Sequence, residues 1–497
     1  MAPEPSPART PRSPLAAGQV IDGFRLDERT HQGSMANLWR VTRVDSSEVR
    51  PLIMKVPRLR GGDDPTTIVG FEVEQMIMPM LAGPHVPAFI AKGDFTAQPY
   101  VVMVRIPGES LKARFDVAPL AIDEVVDIGH RVATALHDLH RQHVVHLDVK
   151  PSNIMFRAGL AGERGEAVLI DFGLSRHDQL PDLLEEEFEL PMGTSPYMSP
   201  EQIQFVRSDP RSDLFALGVM LYHLTTGARP FGAPAGVRGL RERLYRDPVP
   251  PRALRTDCPP WLQEIILRCL EVKPEKRHQS AAQLAFDLLH PEQLTLTARA
   301  ERSQRSSLLR VVRRWFAALG AEPRGGAPSG SPGSDNPIVL AALDIGGSEA
   351  ALLDAVRASV QRVLQTEPGA RLACLAVMKT QRIAIDMPLE KDGSSKHVNL
   401  LVQLKHWARP VLNALAFSKA EQDARVTFHV IEAPDAAAAI VDYAHRNQVD
   451  HIVMGARSNS VLRRYLGSVS ARVVAESACT VTVVRAAGSH PPTNPPA

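Results

Sequence analysis

From Phe24 onward, hydrophobic and polar positions alternate. The stretch FRLDERTHQGSMANLWRVTRV flips between apolar and polar residues around Gly33, the pattern of two strands joined by a turn. PLIMKVPRL and PYVVMVRI read as further strands, and VEQMIMPMLAG between them has helical spacing. From Ile122 helical spacing takes over, in IDEVVDIGHRVATALHDLH, SDLFALGVMLYHLTTG and CPPWLQEIILRCL. A strand-rich piece therefore precedes a helix-rich piece. Residues 321–337, AEPRGGAPSGSPGSDNP, have the composition of a flexible linker, and beyond them the pattern changes again. NPIVLAALDI, ARLACLAVMK, VTFHVIEA, VDHIVMGAR and CTVTVVRA read as strands with helices between them, the first helix being EAALLDAVRASVQRVL. Alternating β and α elements predict a parallel sheet covered by helices.

Just before the linker, SSLLRVVRRWFAALG places Leu308, Val311, Val312, Trp315, Phe316 and Leu319 on one helical face, with Arg310, Arg313 and Arg314 off it. Such a basic amphipathic helix over 306–320 has two readings. The ordinary one is packing on a flanking domain; the other is peripheral contact with a membrane surface.

Length and charge narrow the classes. At about 150 residues per domain, 497 residues suggest three folding units. Lys plus Arg number 57 against 55 Asp plus Glu, a balance of +2 that gives no global pull toward nucleic acid or anionic lipid. Cys258, Cys269, Cys374 and Cys479 form no close pair, which argues against a disulfide framework or zinc site and fits a reducing compartment. There is no apolar run of about 18 residues to span a membrane. The start, MAPEPSPARTPRSPLAAG, lacks the apolar core of a secretory signal. The expected location is cytoplasmic.

Four separated motifs point to one reaction. Lys55 lies in the strand LIMKV, HLDVKPSN supplies Asp148, Lys150 and Asn153, LIDFG supplies Asp171, and GTSPYMSPE ends in Glu201. Phosphoryl transfer from a nucleotide needs positive charge on the phosphates, oxygen ligands for metal ions, and a base to orient the incoming hydroxyl. Asp148 and Asn153 have four residues between them, the spacing of a kinase catalytic loop. Asp171 offers a carboxylate of the kind magnesium prefers. Lys55 needs a carboxylate to hold it extended; Glu74 is the best candidate, and Glu72, on a different helical face, the lesser one. Each motif alone is weak, but their order and spacing together leave chance a poor explanation.

On these motifs, residues 24–290 resemble a bacterial, eukaryotic-type serine/threonine protein kinase. The resemblance implies an α+β bilobal fold, with a β-rich lobe followed by a helical lobe. It implies ATP and Mg²⁺ as cofactors, with Mn²⁺ as the alternative metal, and Ser or Thr on proteins as acceptors. Met103 would gate the pocket beside the adenine, and Val104 to Ile106 would form the hinge. Asp148 would act on the hydroxyl, Lys150 would reach the γ-phosphate, and Asn153 and Asp171 would hold metal. Asp213 would anchor the catalytic loop, and Arg277 would pair with Glu201.

The chain departs from that family in places. The Gly-rich loop aligns as His31, Gly33 and Ala36, so only the central glycine remains; Gly33 and Ala36 stay candidate nucleotide contacts. Leu147 stands where the family usually has an Arg that docks an activation-loop phosphate. Activity is therefore expected not to depend strongly on that phosphate. LLEEEFEL, with Glu185, Glu186, Glu187 and Glu189, reads most simply as a solvated charged loop; mimicry of phosphate and repulsion of acidic substrates are the alternatives.

Residues 337–487 resemble a universal stress protein domain, on IVLAALDIGGSE and HIVMGARSNSVLRRYLGSVSARVVAESACTVTVV. That implies an α/β doubly wound parallel sheet, with Asp344 near a bound adenosine and Gly455, Gly467 and Ser468 around its phosphates. Ser458 replaces the second glycine of the nucleotide-binding version, and the stretch is one residue short. The domain thus reads as a nucleotide or stress sensor, or as a module for homodimerisation through CTVTVV. The expected division is a Pro-rich tail over 1–20, the kinase unit over 21–290, helix and linker over 291–336, the second domain over 337–487, and a tail over 488–497. Autophosphorylation is expected, with Thr10, Ser13, Ser303, Ser306 and Ser307 as candidate targets. The competing reading is a pseudokinase scaffold regulated by the second domain.

Overall fold

The computed structural model describes residues 15–485 apart from 34, 46–49, 59–64, 159–163, 189–190, 235, 305–311, 313, 317–335, 380–395, 416, 418 and 457–467. Strands β1 (Phe24–Gln32), β2 (Ala36–Arg43), β3 (Leu52–Pro57), β4 (Phe89–Gly93) and β5 (Tyr100–Val104) form an antiparallel sheet in the order β1-β2-β3-β5-β4. A short strand, Val20–Ile21, pairs outside β1. Lys55 lies on β3 between Leu38 of β2 and Val101 of β5, so its strand is held on both sides.

Helix α1 (Pro65–Ile77) packs beside this sheet and begins well before the spacing of VEQMIMPMLAG suggests. Its buried residues include Ile68, Val69, Phe71, Val73 and Ile77, and also Glu72, Glu74 and Gln75. A helix covered on several sides shows no single apolar stripe, which hides it from a periodicity reading.

The second lobe is built on α2 (Ile122–His140), α3 (Leu183–Glu187), α4 (Arg211–Thr226), α5 (Pro260–Cys269) and α6 (Ala281–Leu289). Helix α2 places Asp123 and Glu124 in its first turn and His137 and His140 in its last, matching the helix dipole. Ile128, Leu136, Leu217, Leu221, Ile265 and Leu284 are fully buried and join these helices in one core. The antiparallel pair β6 (Ile154–Ala158) and β7 (Arg164–Leu169) is preceded in the chain by Asn153 and followed by Asp171.

The C-terminal unit runs β8 (Ile338–Leu343), α7 (Ala350–Thr366), β9 (Arg371–Lys379), α8 (Lys396–Ala414), β10 (Val426–Ala433), α9 (Ala436–Arg446), β11 (His451–Gly455), α10 (Ser468–Glu476) and β12 (Thr480–Val484). The strands are parallel in the order β10-β9-β8-β11-β12. All five expected strands are present. Alternate residues of β8 serve opposite faces: Val339, Ala341 and Leu343 pack with α7 and α8, and Leu340 and Ala342 pack with α9 and α10.

The two units touch along edge strand β10. Ile68, Phe71, Phe95 and Val101 of the first unit share a hydrophobic cluster with residues of β8, α7 and α8. Of the amphipathic helix over 306–320, Val312, Trp315 and Phe316 are exposed and Arg314 pairs with Asp247 at 2.6 Å. Leu308, Arg310, Val311, Arg313 and Leu319 lie outside the described residues, as do Thr10, Ser13, Ser306, Ser307, Glu189 and Ser458. Among the described residues, no helix is long and apolar enough to cross a membrane.

Candidate active site

Lys55 and Glu74 meet because β3 and α1 face each other across the first lobe. Lys55 Nζ donates to Glu74 Oε2 at 2.6 Å and to Asp171 Oδ1 at 2.7 Å. The Lys55 charge holds the Asp171 carboxyl down at about 2, against the opposing effect of burial. Burial pushes Glu74 up, although Lys55 opposes it. Burial would lower Lys55, but the charges of Asp171 and Glu74 outweigh it and raise it. One ammonium shared by two carboxylates produces this split. Glu72 takes no part; its carboxylate pairs with Lys405 of the C-terminal unit.

Asp171 sits at φ 68°, and Phe172 behind it is fully buried against His146, with ring centroids 5.2 Å apart. On its other side, α1 comes unusually close. A Cβ on Gly70 would lie 2.9 Å from the Gly173 carbonyl oxygen, and one on Gly173 would lie 3.1 Å from that of Gly70. Two glycines let the helix and the Asp-Phe-Gly turn approach backbone to backbone.

The catalytic loop is anchored from α4. Asp213 accepts from the backbone N–H groups of His146 and Leu147, each at 2.9 Å, and lies 2.9 Å from His140 Nε2. These bonds hold Leu147 at φ 63°, a conformation that branched side chains avoid. The Leu147 carbonyl also accepts from Gln202 Nε2 at 2.8 Å. The side chain of Leu147 is buried, an apolar group where a phosphate-docking cation is usual.

The loop then delivers Asp148. Its Oδ1 accepts from Thr194 Oγ1 at 2.6 Å and Thr194 N at 3.0 Å. Its Oδ2 accepts from Lys150 Nζ at 2.6 Å and Asn153 Nδ2 at 3.1 Å. Lys150 Nζ also donates to Thr194 Oγ1 at 3.0 Å. Asn153 is tied to Asp148 by its amide nitrogen, and its backbone carbonyl accepts from Ile170 N at 3.0 Å, beside Asp171. An amide oxygen and a carboxylate here are hard donors of the kind magnesium takes alongside phosphate oxygens, so the residues fit that ion.

The remaining site residues fall around this centre. Gly33 closes the β1–β2 turn by donating to the Ala36 carbonyl at 2.9 Å, and His31 pairs with Leu38 as an ordinary strand residue. Arg58 Nη1 donates to the Gly33 carbonyl at 2.6 Å and pins the turn to the end of β3. Met103 and Val104 end β5, where the Val104 N–H is taken by the Ala88 carbonyl at 2.9 Å; Ile106 follows in the connection to the second lobe. Arg277 makes a two-pronged pair with Glu201, at 2.6 and 2.7 Å, with its guanidinium over the Phe215 ring.

The acidic run differs from the solvated loop it resembles in sequence. Asp182 caps α3 and pairs with Arg207 at 2.8 Å. Glu186 and Glu187 point into the C-terminal unit. Glu186 meets Arg371 and His429, each at 3.0 Å, and the Tyr443 hydroxyl at 3.2 Å; Glu187 meets His429 Nδ1 at 2.9 Å. The reason is burial: Glu187 and His429 have 3% and 0% of their side-chain surface exposed.

In the C-terminal unit, Asp344 is exposed at the end of β8, and Gly455 ends the neighbouring β11. Ser468 begins α10, and Gly467 lies outside the described residues. Asp344 and Gly455 thus share the crevice where the strand order reverses, the place such sheets offer to ligands. Sequence reasoning missed Gly70, Arg58, Asp182, Arg207 and the partners of Glu186 and Glu187. The Leu147 substitution and the phosphate-mimic reading of LLEEEFEL were the two hints that the activation segment is anchored differently.

This constellation is the one expected of a protein kinase domain. The pattern of the protein kinase domain matches residues 33–288, and that of the universal stress protein family matches residues 336–485. The chain belongs to the protein kinase family and carries a universal stress protein domain behind the kinase domain. It is similar to the serine/threonine-protein kinase PknB of Mycolicibacterium smegmatis, with 30% identity over 54% of this chain and 43% of PknB. It is also similar to the serine/threonine-protein kinase pkn3 of Myxococcus xanthus, with 30% identity over 78% of this chain and 69% of pkn3. The chain therefore spans less than half the length of the first of these relatives and about two thirds of the second.

Proposed function

We propose that the chain transfers the γ-phosphoryl group of ATP to Ser and Thr hydroxyls of proteins, itself included. The observation that carries this reading is the Asp148 network. The carboxylate is fixed by Thr194, Lys150 and Asn153, so that it can orient an incoming hydroxyl and take its proton. Lys150, adjoining both Asp148 and the activation segment, is placed to balance charge on the transferring group. Lys55, held extended by Glu74, steadies the inner phosphates. Asn153 and Asp171 are the residues to hold Mg²⁺, or Mn²⁺ in its place. When bound, the ion neutralises phosphate charge. Met103, the Val104 carbonyl and Ile106 are the candidates for the adenine edge, and the Gly33–Ala36 turn for the phosphates.

The scaffold alternative has no observation in its favour; Lys55, Asp148, Asn153 and Asp171 are all present, Lys55 bonded to Asp171 and Asn153 to Asp148. For the C-terminal domain we propose nucleotide binding at Asp344, Gly455, Gly467 and Ser468, and homodimerisation through β12. The free cysteines and balanced charge support action in the cytoplasm on protein partners rather than nucleic acid.

The test is phosphate transfer from γ-labelled ATP with Mg²⁺, by the parent chain and by Asp148→Asn. Label on Ser or Thr with the parent only is the expected result. No label with either, while ATP still binds, would refute the reading.

A further inference from the structure

The kinase and C-terminal domains meet at the two elements that must be positioned for phosphoryl transfer. Helix α1 is gripped on two faces. Glu74 binds Lys55 on one, and Glu72, two residues away, binds Lys405 on the other. Lys405 Nζ lies 5.2 Å from the ring centre of Phe95 in the kinase and 5.7 Å from that of Phe428 in β10, so its charge bridges the domains over two aromatic faces. Glu72 is buried, and without Lys405 it would be a buried carboxylate with its partner removed.

The second contact is α3. It has five residues, far below the length at which a helix persists alone. Leu183 and Leu184 anchor it in the kinase core, and Glu186 and Glu187 enter a pocket formed by Arg371, His429 and Tyr443. This segment leads to Thr194, whose hydroxyl holds Asp148. Since Leu147 is buried and uncharged, the catalytic loop offers no cation at that position to order the segment through a phosphate.

We propose that Lys405, Arg371, His429 and Tyr443 are positioning residues for phosphoryl transfer, and that the C-terminal domain, docked in cis, keeps Glu74 at Lys55 and Thr194 at Asp148. This rests on the kinase reading above. The domain acts through the two elements and touches neither nucleotide nor acceptor.

The experiment uses the full chain. Parent, Lys405→Met, Lys405→Arg, the double variant Glu186→Gln with Glu187→Gln, and the exchange Glu72→Lys with Lys405→Glu are compared. Two readouts are taken: kcat and KM for ATP on a Ser-containing peptide, and amide hydrogen exchange of 65–77 and 183–187. If docking sets the fraction of assembled enzyme, Lys405→Met and the double variant lose about tenfold in kcat, an equilibrium shift of about 1.4 kcal/mol. KM for ATP then moves by less than about twofold. Exchange speeds up in both elements, while Lys405→Arg and the charge exchange stay near the parent.

Parent-level kcat and exchange in Lys405→Met and in the double variant would overturn the proposal. So would a loss that neither Lys405→Arg nor the charge exchange rescues, because it would mark general damage. A parent chain that transfers no phosphate overturns the kinase reading and the positioning role with it. The exchange data, which need no activity, distinguish that failure from a failure to dock.

Discussion

Replacing Gly70 by alanine separates catalytic assembly from folding. The added Cβ would sit 2.9 Å from the Gly173 carbonyl oxygen and 3.6 Å from its carbon, with backbone rather than a yielding side chain in the way. Overpacking of this kind costs about 1–3 kcal/mol. Alanine, however, is favoured over glycine in a helix interior by about 1 kcal/mol. The two effects act on different equilibria. The propensity gain is present whenever α1 is helical, whereas the clash exists only when α1 is closed on the Asp-Phe-Gly turn. The cheapest relief is an outward shift of α1, which draws Glu74 away from Lys55.

The expected result is therefore a drop in kcat of about 5- to 150-fold, the range that corresponds to 1–3 kcal/mol. The thermal midpoint should not fall in step. Steady-state peptide phosphorylation and thermal unfolding of the same preparations measure the two quantities. Gly236→Ala, where a Cβ meets nothing within 4 Å, is the control. A Gly70→Ala protein with parent kcat would refute the reasoning, because α1 would then close as tightly with a methyl group in the gap.

The remaining predictions concern other parts of the chain. Arg277→Ala leaves the Glu201 carboxylate buried without its partner and should cost about 3–5 kcal/mol in chemical denaturation; a loss under 1 kcal/mol would contradict the buried pair. Ser195→Ala and Tyr197→Phe should retain most activity, whereas Thr194→Val should lose it, because only Thr194 donates its hydroxyl to Asp148; equal losses in all three would argue for activation-loop phosphorylation. The domain interface should weaken at alkaline pH. Burial lowers His429, but Glu186 and Glu187 outweigh it and raise it to about 9, so its contribution is complete below about 6.5 and is lost as pH rises through 9. Burial lifts Glu187 to about 7, which acts in the same direction; Glu186, at about 2 because His429 and Arg371 outweigh burial, loses its contribution only in strong acid. Amide exchange of 183–187 between pH 6.5 and 9, with His429→Gln as reference, measures this, and a flat profile in the parent would count against it.

The candidate residues that the structure brings together were legible because each lies in a short local motif, and local spacing is what a sequence displays directly. Asp148 and Asn153 are joined by one loop, and the five strands of the second domain each carry their own apolar run. The interface was not legible, because its partners are far apart in sequence. Glu186 meets Arg371 across 185 positions and Tyr443 across 257, and Glu187 meets His429 across 242. A run of three glutamates on a short segment looks like a solvated face until a histidine, an arginine and a tyrosine are seen to enclose it. Helix α1 was partly hidden for the opposite reason: the kinase and the second domain both cover it, so buried acids interrupt its apolar spacing.

The sheet order of the second domain determines how signals can reach the kinase. The docking residues lie on β9, on edge strand β10 and on α8 and α9, while β12 is the opposite edge. A dimer formed through β12, as proposed above, would leave the docking edge free and could carry two docked kinase domains. Asp344 and Gly455 lie at the strand ends between those edges. A ligand there touches neither α1 nor α3. It can change activity only by binding the docked and undocked states with different affinity, and the size of its effect is limited to that difference. In the proposed role, Glu186 and Glu187 supply through Arg371 and His429 the negative charge that a loop phosphate would otherwise supply. On the positioning role proposed above, a signal can act on the kinase domain through the docking equilibrium as well as through covalent modification of the loop.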